Sequence, residues 1–106
     1  MKNSNEKETA GQFAEQFKVL SHPLRIHLML FLDKNKTREV SVGEISEHLQ
    51  ISQPETSRHL VMMKNAGLLK RKKQKTNTYY YPDYGNFWLN CMMDCISRKN
   101  NTGKKI

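Results

Sequence analysis

The sequence predicts a mainly α-helical domain with one small β-hairpin, and three features of residues 41–81 carry that expectation. Ser41 and Glu44 have the spacing of a capping box, in which the Ser oxygen takes an orphan amide and the Glu side chain returns to the cap. Ser52 and Glu55 repeat the pattern eleven residues on, with Pro54 in the first turn, where its missing N–H costs nothing. A basic run from Lys70 and an aromatic run ending at Tyr81 then read as two strands around a polar tip. Two short helices, a turn of three or four residues around Gln50 and Ile51, and a hairpin make up a winged helix-turn-helix. Five helices plus the wing account for the chain.

Residues 1–8 are polar, lack apolar periodicity and are expected to be disordered. The domain proper is expected over residues 9–99, with 100–106 a flexible basic tail. Phe13, Phe17 and Leu20 recur at i, i+4, i+7 and predict a first helix over Thr9–Leu20. Pro23 suits the first position of a second helix to Leu32, which is apolar nearly all round and is expected to be the buried central helix. A charged loop, Asp33–Arg38, precedes a short strand at Glu39 and Val40 and then the third helix capped by Ser41. The fourth helix, Gln53–Asn65, ends at Gly67, a left-handed cap. Strands follow over Leu68–Lys73 and Thr76–Tyr81. Pro82-Asp83 then opens a last helix to Lys99, on which Tyr84, Phe87, Trp88, Cys91, Met92, Cys95 and Ile96 form a seam for another helix.

At 106 residues and 37% hydrophobic content the chain is one small domain, whose helices can complete their burial against a second copy. A net charge of +8 favours a polyanionic partner. No apolar run approaches the roughly 20 residues needed to span a bilayer. The first residues lack the hydrophobic stretch of a signal peptide. Two Cys four residues apart do not make a secreted disulfide framework. A cytoplasmic protein without membrane contact is expected.

In this fold the fourth helix enters a DNA major groove. Thr56, Leu60 and Met63 share its inward face. Gln53, Pro54, Ser57, Arg58 and then Val61 lie opposite, where Gln can pair with adenine N6 and N7 and Arg with guanine O6 and N7. Glu55 is assigned to the helix N-terminus instead. Lys70, Arg71, Lys72, Lys73 and Lys75 crowd the hairpin and are expected at phosphates or the minor groove. Tyr79, Tyr80 and Tyr81 can form a stacking platform, but packing on the chain's own helices is preferred. A protein-interaction module is disfavoured by the basic block and by the lack of exposed hydrophobic surface expected on the fourth helix. An enzyme is disfavoured because no Gly-rich phosphate loop, carboxylate pair or nucleophile–base motif is present.

The segments FKVLSHPLRIHLMLFL, SVGEISEHLQISQPETSRHLVMMKNAGLLKRKK and TYYY resemble the ArsR/SmtB family of small winged-helix repressors. SQPETSRHL followed by NAGLL is the most specific part. The resemblance implies a homodimer built from first and last helices that binds an inverted-repeat operator and is released by an inducer such as a metal or metalloid ion. Phe13, Phe17, Trp88, Met92 and Ile96 are then the expected dimer interface. The family's inducer sites do not carry over. Many members have paired Cys at the start of the third helix, where this chain has Ser41-Val42-Gly43, and zinc-sensing members use Asp and His along the last helix, which here has no His. Cys91 and Cys95 remain. Both face one way on the last helix, and three readings stay open: apolar packing, a thiophilic metal or metalloid site, or thiol oxidation. His22, His27, His48 and His59 are scattered through different helices, and a metal role for any one of them is the lesser reading.

Overall fold

The computed structural model describes the backbone of residues 2–105 and the side chains of residues 6–98. Its order is α1 (Lys2–Leu20), α2 (Pro23–Lys34), α3 (Val42–Leu49), α4 (Gln53–Asn65), β1 (Leu69–Gln74), β2 (Asn77–Pro82) and α5 (Phe87–Lys105). The strands form one antiparallel hairpin, registered from Leu69 opposite Pro82 to Gln74 opposite Asn77. This is the winged helix-turn-helix that the capping pattern predicts. None of the described helices is long and apolar enough to cross a membrane.

The two caps hold as the sequence requires, with one difference. Ser41 Oγ accepts from Glu44 N at 3.1 Å while the Glu44 carboxylate accepts from Ser41 N, a complete box. The Arg38 guanidinium, 2.8 Å away, and the Ser41 amide hold the Glu44 carboxyl below its usual value. At α4 only the Ser52 half forms, with Ser52 Oγ accepting from Glu55 N at 3.2 Å. Three residues, Gln50 to Ser52, join the helices, and Gln50 takes the left-handed conformation at φ 58° to make the turn that tight. Gly67 ends α4 at φ 86°, with Leu68 N donating to Met63 O and Gly67 N to Lys64 O, a Schellman pair.

The core gathers Val19 and Leu20 from α1, Leu28, Met29 and Leu32 from α2, Ile45 and Leu49 from α3, Leu60 and Met63 from α4, and Leu89 and Met93 from α5. The molecule measures 46 × 44 × 23 Å, so its thin direction holds only two layers of helices about 10 Å across. That is why α2 is not enclosed on all sides as expected: Leu24, Ile26, Leu30 and Phe31 are only half-buried and His27 is exposed.

Several boundaries move. Helix α1 starts at Lys2 rather than Thr9, and α5 runs past Lys99 to Lys105. Extending a helix costs far less than nucleating one, and neither end contains proline. Glu39 and Val40 form no strand; Val40 is buried and the Glu39 side chain reaches the hairpin instead. Pro82 belongs to β2, and α5 begins only at Phe87. Asp83 accepts from Gly85 N at 3.0 Å and Asn86 Oδ1 accepts from Leu89 N, so turn chemistry at Asp83–Asn86 delays the helix. Tyr84 therefore leaves the expected seam, and its hydroxyl donates to Asp33 at 3.0 Å.

Arg25 joins α2 to α4: its Nε donates to His59 Nδ1 at 3.2 Å and its Nη1 to Val19 O at 2.8 Å. A His59 that accepts through Nδ1 must be neutral. Burial, then the Arg25 and His22 charges, hold its pKa below the ordinary value. The unfolded chain thus takes the proton more readily than the folded one. The resulting contribution to stability is complete above pH about 6.5 and declines as pH falls through the lower folded value. Urea unfolding of the native chain should lose midpoint below that pH, and His59→Gln should flatten the dependence; an equally steep profile in the variant would assign the titration elsewhere.

Candidate nucleic-acid interface

Helix α4 turns Thr56, Leu60 and Met63 inward, all essentially inaccessible, which fixes what faces out. Thr56 Oγ1 also donates back to Ser52 O at 2.9 Å, so the one polar group on the inward face is satisfied. Gln53, Pro54 and Arg58 are exposed and Ser57 is half-buried, as the sequence reading placed them. The starts of α3 and α4 lie close, since a Cβ on Gly43 would sit 3.4 Å from Gln53 Nε2. A concavity of about 420 Å³ opens there, lined by Ser41 to Gly43, Gln53, Ser57 and, from the hairpin, Arg71 and Tyr80. Two helix N-termini and Arg71 thus line one hollow.

The basic run is not one patch. Leu69, Arg71 and Lys73 alternate with Lys70, Lys72 and Gln74, and the buried partners Pro82 and Tyr80 show that the first set shares the inward, α4-side face of the pleat. Arg71 is thereby the hairpin cation that reaches the hollow. On the other face Lys72 is ion-paired, its Nζ 3.1 Å from Glu39 Oε2, and the Gln74 amide, turned nitrogen-first, donates to the same carboxylate at 3.1 Å. Lys72 is thus not a free cation as expected, because a carboxylate thirty-three positions earlier folds onto it. Lys70, Lys73 and Lys75 are exposed, Lys75 at the tip with φ 53°. Of the three tyrosines Tyr80 is buried, Tyr79 half-buried and Tyr81 40% exposed, so packing describes the first two.

A correction concerns the far half of α4. Val61 and Met62 are 41% and 43% exposed, and with Glu15, Val19 and Ala66 they wall an open groove of about 610 Å³ between α1 and α4. The recognition helix therefore does carry exposed apolar surface. Helix α1 covers only its inner side, and the pattern of buried residues alone does not reveal how far that cover extends.

The residues expected at a dimer interface come together on one side. Phe13 and Phe17 are 40% and 53% exposed, and the Phe17 ring meets Trp88 edge-on at 4.7 Å. Trp88, Met92 and Ile96 are half-buried. Trp88 is partly occupied at home: its Nε1 donates at 2.8 Å to Oε1 of Gln16, which Asn86 Nδ2 also reaches at 3.3 Å. Gln16, 4% exposed, escaped the sequence reading because a polar residue there broke no apolar pattern. Leu89 and Met93, left out of the seam, are the α5 residues that enter the core. The outward stripe is Phe87, 87% exposed, with Cys91 and Cys95 one and two turns on, both exposed free thiols. Neither Cys fills the chain's own core. Among the described residues no three of His, Cys, Asp and Glu cluster as a metal site.

Residues 22–71 match the family described as bacterial regulatory protein, arsR family. An uncharacterized HTH-type transcriptional regulator of Methanocaldococcus jannaschii is 35% identical over 68 residues, 64% of this chain and 74% of that protein. The crystal structure of the transcriptional repressor PagR of Bacillus anthracis superposes with a TM-score of 0.73 at 27% identity, over 85% of this chain and 98% of the other. The homodimeric winged helix-turn-helix domain of a possible ArsR-family regulator from Mycobacterium bovis, 19% identical, shares the fold at a TM-score of 0.71 over 91% of this chain and 84% of that one. The matched segment spans the second helix, the helix-turn-helix and the first residues of the wing, and on these grounds the chain belongs to the arsR family of bacterial transcriptional regulators.

Proposed function

We propose that this regulator is a homodimeric repressor that binds an inverted-repeat DNA operator through α4 and the wing. The observation that carries the reading is the hollow where the exposed start of α4 meets the N-terminus of α3 and Arg71. Gln53, Pro54, Ser57 and Arg58 face the bases from the major groove, while Arg71, Lys70, Lys73 and Lys75 take phosphates. Lys72 joins them only by giving up Glu39. The exposed aromatic and apolar side chains of α1 and α5 support assembly of two copies with recognition helices about 34–36 Å apart, one DNA turn. The homodimeric relative of like fold supports the same arrangement.

Gel shifts with operator and scrambled duplexes test the base-reading assignment. Gln53→Ala or Arg58→Ala should weaken operator binding by about 1–3 kcal/mol and relax preference at one position, whereas Lys73→Ala should weaken every duplex alike and lower the salt slope by about one. Glu39→Gln, which frees Lys72, should tighten all duplexes. A loss of sequence preference from Lys73→Ala with none from Arg58→Ala would reverse the roles.

Assembly is best tested at Phe87, because a change at Trp88 would also orphan Gln16 inside the chain. Phe87→Asp with Phe17→Asp should give a folded monomer by light scattering and circular dichroism, since a buried unpaired charge opposes the interface. Wild-type protein that scatters as a monomer at micromolar concentration would remove the dimer.

Release of DNA is assigned to Cys91 and Cys95, the exposed soft ligands on the assembly stripe, where a thiophilic ion or an oxidant would alter how two subunits sit. Cys91→Ser with Cys95→Ser should keep operator affinity and abolish release by arsenite, cadmium or peroxide. Wild-type binding that ignores all three leaves the thiols as packing groups.

A further inference from the structure

The four histidines, dispersed in sequence, meet in pairs across helices, and one pair has the geometry of a ligand set. His27 of α2 and His48 in the last turn of α3 place their Nε2 atoms 3.2 Å apart, with ring centroids at 5.1 Å and planes at 69°. Both rings are exposed. The His48 ring stacks on Phe31 at 4.0 Å and 20°, which fixes the direction of its nitrogen edge. An ion bound by two imidazoles at 2.0–2.1 Å with a tetrahedral angle between them holds its nitrogens about 3.3 Å apart. The spacing of the two Nε2 atoms here is close to that value.

We propose that His27 and His48 form a two-histidine site for a borderline divalent cation, of which zinc is the best match, with water in the other positions. The site lies between α2 and α3, outside the surface assigned to DNA, and uses neither thiol. Imidazole nitrogen suits zinc, and the C-terminal end of α3, carrying His48, is the negative end of that helix dipole. As a hydrogen-bonded pair, one ring carries its proton on Nε2. On binding, that proton moves to Nδ1, so that both Nε2 lone pairs are free for the metal. The second pair, His22 and His59, does not compete for this chemistry. His22 Nδ1 accepts from Leu24 N and His59 Nδ1 from Arg25, so one nitrogen of each is engaged, and their rings stand 5.5 Å apart beside a guanidinium.

Calorimetric titration of zinc into the full chain carrying Cys91→Ser and Cys95→Ser, in mildly alkaline buffer, tests the site without interference from the thiols. One zinc per chain is expected. His27→Ala and, separately, His48→Phe, which keeps the stack on Phe31 but removes the nitrogens, should each cost about tenfold or more in affinity. Zinc should raise the melting midpoint of the parent and not of either variant. Cobalt in place of zinc should give the visible absorption of a tetrahedral nitrogen and oxygen site with no thiolate band. No zinc uptake by the parent, or uptake unchanged in both variants, overturns the proposal and leaves a hydrogen-bonded pair.

Discussion

The buried amide of Gln16 is the contact on which three elements depend. Its oxygen takes hydrogen bonds from Trp88 and Asn86, at the start of α5, and its nitrogen lies where a Cβ on Gly67 would be only 2.9 Å away. One side chain of α1 therefore locates the end of the recognition helix and the beginning of the last helix. Gly67 is needed twice over, for its left-handed backbone and for the room it leaves that amide. A buried polar group left without partners costs roughly 1–3 kcal/mol, so these three elements hold together or loosen together. The wing, which starts two residues after Gly67, inherits its direction from the same junction.

Local chemistry made most of this architecture legible in the chain. Ser41 with Glu44, Ser52 with Pro54, and Gly67 each act within a few residues, and the structure places all of them where their spacing implies. Thr56, Leu60 and Met63 gave the inward face of α4 for the same reason, and with it the outward position of Gln53 and Arg58. What failed depends on contacts between distant residues. Glu39 neutralises Lys72, Asp33 holds Tyr84, and the histidines pair across helices; no periodicity records such meetings. The end of β2 was misjudged because Pro82 reads as a breaker, although at the last position of an edge strand its missing N–H is tolerated.

Helix α5 shows how a single stripe can serve two masters. Leu89 and Met93 enter the core of this chain, while Phe87, Cys91 and Cys95 point away from it, with Trp88, Met92 and Ile96 between. A seam pattern in sequence marks the whole apolar sector but not how it divides between the chain's own core and a neighbour. That the two thiols share Phe87's side of the helix places their chemistry on the outer surface, where solutes reach them in the single chain.

The clasp of Glu39 on the wing has a kinetic side. Leu69, Tyr80 and Pro82 anchor the base of the hairpin in the core, so its pose does not rest on this surface contact. The Lys72–Glu39 pair is exposed on both sides, so it contributes little to stability and opens and reforms readily, more so as salt rises. A Lys72 that leaves Glu39 in this way becomes available to an anion without any change in the fold of the wing.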